Sequence, residues 1–100
     1  MGIPAFELDE GFPPDKEFWE TLKKIALAWN KDLRSTIIKS LQDKGFTVEW
    51  FKWGCLEGFP VLVVKLNPIP NPKEIWGIVE LIEQLIDKAT DCGAACIIHP

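Results

Sequence analysis

Residues 46–66 read Phe46-Thr47-Val48-Glu49-Trp50-Phe51-Lys52-Trp53-Gly54-Cys55-Leu56-Glu57-Gly58-Phe59-Pro60-Val61-Leu62-Val63-Val64-Lys65-Leu66, and this stretch decides the fold. Phe46 to Trp53 alternates, with Phe46, Val48 and Trp50 on one side and Thr47, Glu49, Phe51 and Trp53 on the other, the period of a strand. Gly54 to Gly58 is expected as a five-residue turn between two glycines, and Phe59 to Leu66 as the returning strand of a hairpin. In that second strand Phe59, Val61 and Val63 point one way and Leu62, Val64 and Leu66 the other. A strand apolar on both faces belongs in the middle of a sheet.

On the N-terminal side of the hairpin, Phe18, Leu22, Ile25, Ala26, Trp29, Leu33 and Ile37 recur at three and four residues within Pro14–Lys44, which predicts a helix. Pro13, Pro14 and Asp15 supply a start, and Gly45 a stop, with Phe46 folding back on Leu41. Unbroken, about 30 residues at ~1.5 Å each span roughly 45 Å, more than twice a typical strand. The helix therefore either overhangs its sheet or breaks near Trp29–Asp32, where Asn30 is placed to cap a second segment. On the C-terminal side, Asn71-Pro72-Lys73-Glu74 is a capping box with proline at the first helical position. Ile75, Ile78, Val79, Ile82, Leu85, Ile86 and Ala89 continue it as one apolar stripe, with Gly93 expected as the stop and Gly77 as a point of close backbone approach. Ala94–His99 reads as a last short strand.

Residues 3–8 are a weaker strand candidate, restricted by Pro4 to a strand start or an edge. With that strand the order is βαββαβ, so the expected class is α+β, a two-layer sandwich with the ferredoxin-like split arrangement. Without it the order is αββαβ with a long or broken first helix. The second order superficially resembles the core of the restriction-endonuclease-like nucleases, which also place a lysine late in a central strand, as Lys65 is here. That resemblance implies a metal-binding Asp or Glu two residues earlier, where this sequence has Val63.

One hundred residues with a net charge of −4 and 47% hydrophobic content suit one small domain, here 1–100, rather than a disordered chain. No apolar run approaches the ~20 residues of a membrane span, and Glu7, Asp9 and Glu10 stand where a signal peptide would be basic. Three cysteines are a poor disulfide framework, so a soluble, cytoplasmic protein is expected, without cofactor and without membrane partner.

Chemistry has few candidates. Cys92, Cys96 and His99, with Cys55, have the inventory of a Cys3His zinc site, but the spacing lacks the tight paired turns such sites use. Free thiols packed as small hydrophobes are the expected outcome. His99 is the lone histidine, and Ser35 and Ser40 lie inside a helix rather than on a nucleophile turn, so catalysis is not expected. Glu7, Asp9 and Glu10 are oxygen ligands in number but read as a solvated acidic segment. Lys23, Lys24, Lys31 and Arg34 make the first helix locally basic, the alternative reading being a nucleic-acid-binding face.

The leading expectation rests on apolar surplus. If both helices cover one sheet face, then Phe51, Trp53, Leu62, Val64 and Leu66 are left on the other. Trp50, Phe51, Trp53, Leu62 and Val64, with Trp76 on the second helix, would then form the interface of a homodimeric, non-enzymatic binding or regulatory module, with a further protein partner as the other use of that surface.

Overall fold

The computed structural model describes residues 6–7 and 16–100. In chain order these form β1 (Phe6–Glu7), α1 (Lys16–Ala28), a π turn (Trp29–Leu33), α2 (Arg34–Asp43), β2 (Thr47–Leu56), β3 (Phe59–Asn67), α3 (Pro72–Thr90) and β4 (Ala95–His99). The α+β class holds, with the backbone order helix, two strands, helix, strand. Of the expected strand at 3–8, the pair Phe6–Glu7 lies parallel beside Trp53 and Gly54, and its remaining residues lie outside the described ones.

Strand order in the sheet is β1-β2-β3-β4, with β2 and β3 antiparallel and β3 and β4 parallel. Each helical connection thus joins neighbouring strands. The expected split arrangement, in which a strand is inserted between those that a helix connects, differs from this order.

The first helical region neither stops nor overhangs as a plain helix. From Ile25 the buried positions run Trp29, Leu33, Ile37 and Leu41, four successive steps of four. At ~100° per residue each such step overshoots a full turn by ~40°, so in a regular α-helix Leu41 would face nearly opposite to Ile25. The π turn takes up an extra residue and brings the stripe back into phase. Ile25, Ile37 and Leu41 are accordingly all fully buried. Asn30 does not cap a new helix. Its Nδ2 donates to the Ala26 carbonyl at 3.0 Å, and Ser35 Oγ donates to the Asp32 carbonyl at 3.0 Å, so side chains bond to carbonyls around the widened turn.

At the end of α2, Phe46 N–H donates to the Leu41 carbonyl and Gly45 takes a positive φ of 92°, the expected stop. α3 starts as expected: the Asn71 side chain accepts from the Glu74 N–H, and the Glu74 carboxylate accepts from the Asn71 N–H. Its end differs. Asp91, at φ 56°, takes the left-handed conformation expected of Gly93, a geometry that a short polar side chain tolerates. Gly77 is exposed, with nothing within 4 Å of its missing Cβ, so it marks no backbone contact.

Two features of the hairpin depart from expectation. The turn is two residues, Glu57 and Gly58, both with positive φ (53° and 78°) as a type I′ turn requires, so Gly54 and Cys55 belong to β2. Between Val48 and Trp50 the register shifts by a bulge, which turns Trp50 away from the face that Phe46 and Val48 share.

Both helical arms lie on one side of the sheet. Ile25, Trp29, Leu33, Ile37 and Leu41 from the first arm and Ile78, Ile82 and Ile86 from α3 meet Trp53, Leu62, Val64, Leu66 and Cys96 in one continuous core. A smaller cluster of Phe18, Leu22 and Cys55 extends it. The face carrying Phe51, Trp53, Leu62, Val64 and Leu66 is therefore the covered one, which corrects the expectation that it is left open.

Candidate functional site

The side of the sheet away from the helices is built by alternation. In register across β2, β3 and β4 it presents Trp50, Lys65 and His99 in one row, Lys52, Val63 and Ile97 in the next, and Gly54, Val61 and Ala95 beyond. Leu56 and Phe59 close the hairpin end. Among the described residues no helix packs on this side, and four of its large apolar groups are exposed, Trp50 by 39%, Leu56 by 55%, Phe59 by 49% and Ile97 by 47%, while Val61 on the same side is buried at 5%. At the hairpin end the Phe59 ring reaches over Gly93.

The far row is polar. The Trp50 and His99 rings meet edge to face at 5.0 Å. Lys65 Nζ donates to the Pro100 carbonyl at 2.8 Å, and His99 Nδ1 lies 2.8 Å from the same oxygen. The face is thus an apolar band ending in a rim of cation, imidazole and indole, the arrangement of interface core and polar rim.

Placement of the expected interface residues is mixed. Trp50 lies on this face, and Trp76 projects from α3, 78% exposed. Trp53, Leu62 and Val64 are buried beneath the helices and unavailable to a partner, which corrects their assignment to an interface. Phe51 is half-buried against the same core, its ring meeting that of Trp29 at 4.9 Å. Leu56, Phe59 and Ile97 were not expected at the surface. The parity of Lys52 and Lys65, which share their face, is the sequence signal that identifies it, since ammonium groups favour the side of a sheet that water can reach.

The expected zinc ligands are dispersed. Cys55 packs with Phe18 and Leu22, Cys92 lies in the loop after α3, Cys96 faces the core beside Leu62, and His99 points to the opposite face. Among the described residues no group of three or more His, Cys, Asp or Glu side chains could hold a metal ion, and all three cysteines are free. Burial pushes the Cys96 thiol up to about 12, with the nearby Glu83 carboxylate adding to the effect. Glu83 Oε2 accepts the Cys96 N–H at 3.1 Å. A neutral thiol of this kind is no nucleophile.

Nor do the expected phosphate-binding cations form one face. Lys24 and Lys31 line a groove shared with α3, whereas the Arg34 guanidinium lies 5.8 Å from the centre of the Phe51 ring, beside β2. Lys23 is exposed and lines neither. Lys65 sits late in the central strand as the nuclease-like order implies, but Val63 shares its face and supplies no carboxylate. Glu7, Asp9 and Glu10 have side chains outside the described residues. No described helix is long and apolar enough to cross a membrane. Comparison of the chain with protein-family models, with curated proteins and with solved structures finds no match.

Proposed function

We propose that the chain is a non-enzymatic binding module that self-associates through the open face of its sheet, centred on Trp50, Leu56, Phe59 and Ile97. The observation that carries this reading is the exposure of four large apolar side chains, each 39–55% accessible, on the same side of the sheet. Such a patch, rimmed by polar groups, is characteristic of an association site. A second copy suits it because each copy would bring a flat apolar band with the same polar rim at one end, and a two-fold axis sets like against like.

Size predicts the strength. Three strands at ~4.8 Å spacing and up to ten residues at ~3.3 Å give a face of roughly 15 by 30 Å. That is about 450 Å², little more than half of the ~800 Å² per partner that a standard stable interface buries, so the dimer should be weak and reversible. Three free thiols suit a reducing compartment such as the cytoplasm.

Sedimentation velocity from low to several hundred micromolar tests the proposal, alongside native mass spectrometry with and without reductant. The expected result is a monomer–dimer equilibrium that Ile97→Lys or Phe59→Glu abolishes and Trp76→Ala leaves alone. A chain that stays monomeric throughout, or a dimer that survives both sheet substitutions, would sink it.

A further inference from the structure

On the helical side of the molecule, the seam between α1 and the last turns of α3 is not closed. Lys24, Leu27, Ala28 and Lys31 follow one another at the spacing of a single helical face, with the π turn widening the far end. This second stripe of the first helix points away from the sheet and across to Leu85, Lys88 and Ala89 of α3. Between them lies an open groove of about 650 Å³.

Its chemistry is two-part. The floor is aliphatic, with Leu27 held 66% exposed between two lysines of its own helix. The rim carries three ammonium groups, Lys24, Lys31 and Lys88, against the single carboxylate of Asp32. A volume within the ~300–1,000 Å³ range of ligand sites, lined mainly by apolar groups with a few charged ones placed to orient, is the pattern of a small-molecule site.

From the charge and the floor together, we infer that this groove binds a chain-bearing carboxylate, an aliphatic tail lying along Leu27 and Leu85 and its anionic head held between Lys31 and Lys88. A nucleotide is a poorer fit. Among the described residues no aromatic ring lines the groove to stack a base, and the helix end beside it is the C-terminus of α3, which offers carbonyls where a phosphate cluster needs N–H donors. A bare inorganic anion would leave the exposed Leu27 unused. Because the groove is open along its length, part of the tail stays in water, and micromolar affinity is expected. The site lies on the opposite layer from the open sheet face and does not depend on self-association.

Isothermal titration with monomeric dodecanoate is the direct test, with dodecanol and inorganic phosphate as the two halves of the ligand taken separately. The expected result is saturable one-to-one binding of dodecanoate, at least tenfold tighter than dodecanol, with no measurable phosphate binding. The double substitution Lys31→Glu with Lys88→Glu should weaken it at least tenfold, as should Leu27→Asp, while Ile97→Lys on the sheet face leaves it unchanged. Circular dichroism on each variant confirms that these exposed positions leave the fold intact. Equal affinity for dodecanol, loss of binding through Ile97→Lys, binding of phosphate alone, or no binding of dodecanoate would each overturn the assignment.

Discussion

Both faces of the sheet carry large apolar side chains, yet one is sealed by both helical arms and the other is covered by no helix among the described residues. On the sealed face Trp53, Leu62, Val64 and Leu66 are 0–2% exposed, while on the open face Trp50, Phe59 and Ile97 keep 39–49% of their surface in water. What separates them is interruption. The sealed face runs without a charge through Phe51, Trp53, Cys55, Leu62, Val64, Cys96 and Ile98, whereas Lys52, Lys65 and His99 break up the other. Burying an ammonium group without a partner costs more than several buried methylenes return, so the placement of a few charges, rather than total apolar content, selects the inside.

The sharpest way to break this contrast is to misaim the helix that seals one face. Deleting Lys23 would change the phase between Phe18 and Leu22 and the rest of the arm by ~100°, so that the two parts of the buried stripe no longer face the sheet together, and that variant should be strongly destabilised. Deleting Asn30 instead removes the extra residue of the π turn, together with the side chain that bonds the Ala26 carbonyl, and should leave a regular, folded helix. Thermal melting of the two deletion variants reads the asymmetry directly, and equal damage from both would show that the π turn does not set the phase.

A paired substitution tests the faces themselves. Trp53→Ala empties a site packed between the Trp29 ring and Leu62 and should cost about 3–5 kcal/mol, against less than about 1 kcal/mol for Trp50→Ala on the open side. Urea unfolding of both, at concentrations where the chain is monomeric, gives the comparison. Similar losses would mean that the faces are not inside and outside.

The gentlest probe is pH. In the unfolded chain the Cys96 thiol titrates at its ordinary value of 9.0, and in the folded chain burial holds it neutral to about 12. Its contribution to stability is therefore intact below pH 9 and lost as pH rises from 9 toward 12, because the unfolded state releases the proton first. Cys96→Val should remove this part of the alkaline decline, so the stability difference between the two proteins should narrow or reverse across that window. In mildly alkaline buffer an alkylating agent should modify half-exposed Cys92 and spare Cys96.

Much of this architecture is legible one element at a time. Asn71, Pro72 and Glu74 announce the start of α3 because a capping box is satisfied within four residues. The strands of the hairpin follow from alternation, and the length of the first helix already points to an irregularity near Trp29–Asp32, though to a capped break rather than the π turn found there. What is less legible depends on contacts between elements. The bulge at Val48–Trp50 reverses the sense of alternation partway along β2, so Trp50 leaves the face of Phe46. Which side the helices cover is decided by the sum over three strands, and a reading strand by strand placed Trp53, Leu62 and Val64 on the wrong side of that decision. The dispersal of the zinc inventory, by contrast, is visible within one element: Cys96 and His99 are three residues apart in one strand, an odd separation that sends them to opposite faces.

The hydrogen bond from the Cys96 N–H to Glu83 also bears on how large an assembly this chain can build. β4 is the last strand of the sheet, and an uncovered edge strand is a template on which further strands add without limit, the route to fibrils. By holding one of the donors that an incoming strand would use, the Glu83 carboxylate makes that edge a poor template and places a negative charge beside it. Growth by strand addition is checked at that edge, so the fold guards against open-ended assembly with a single carboxylate.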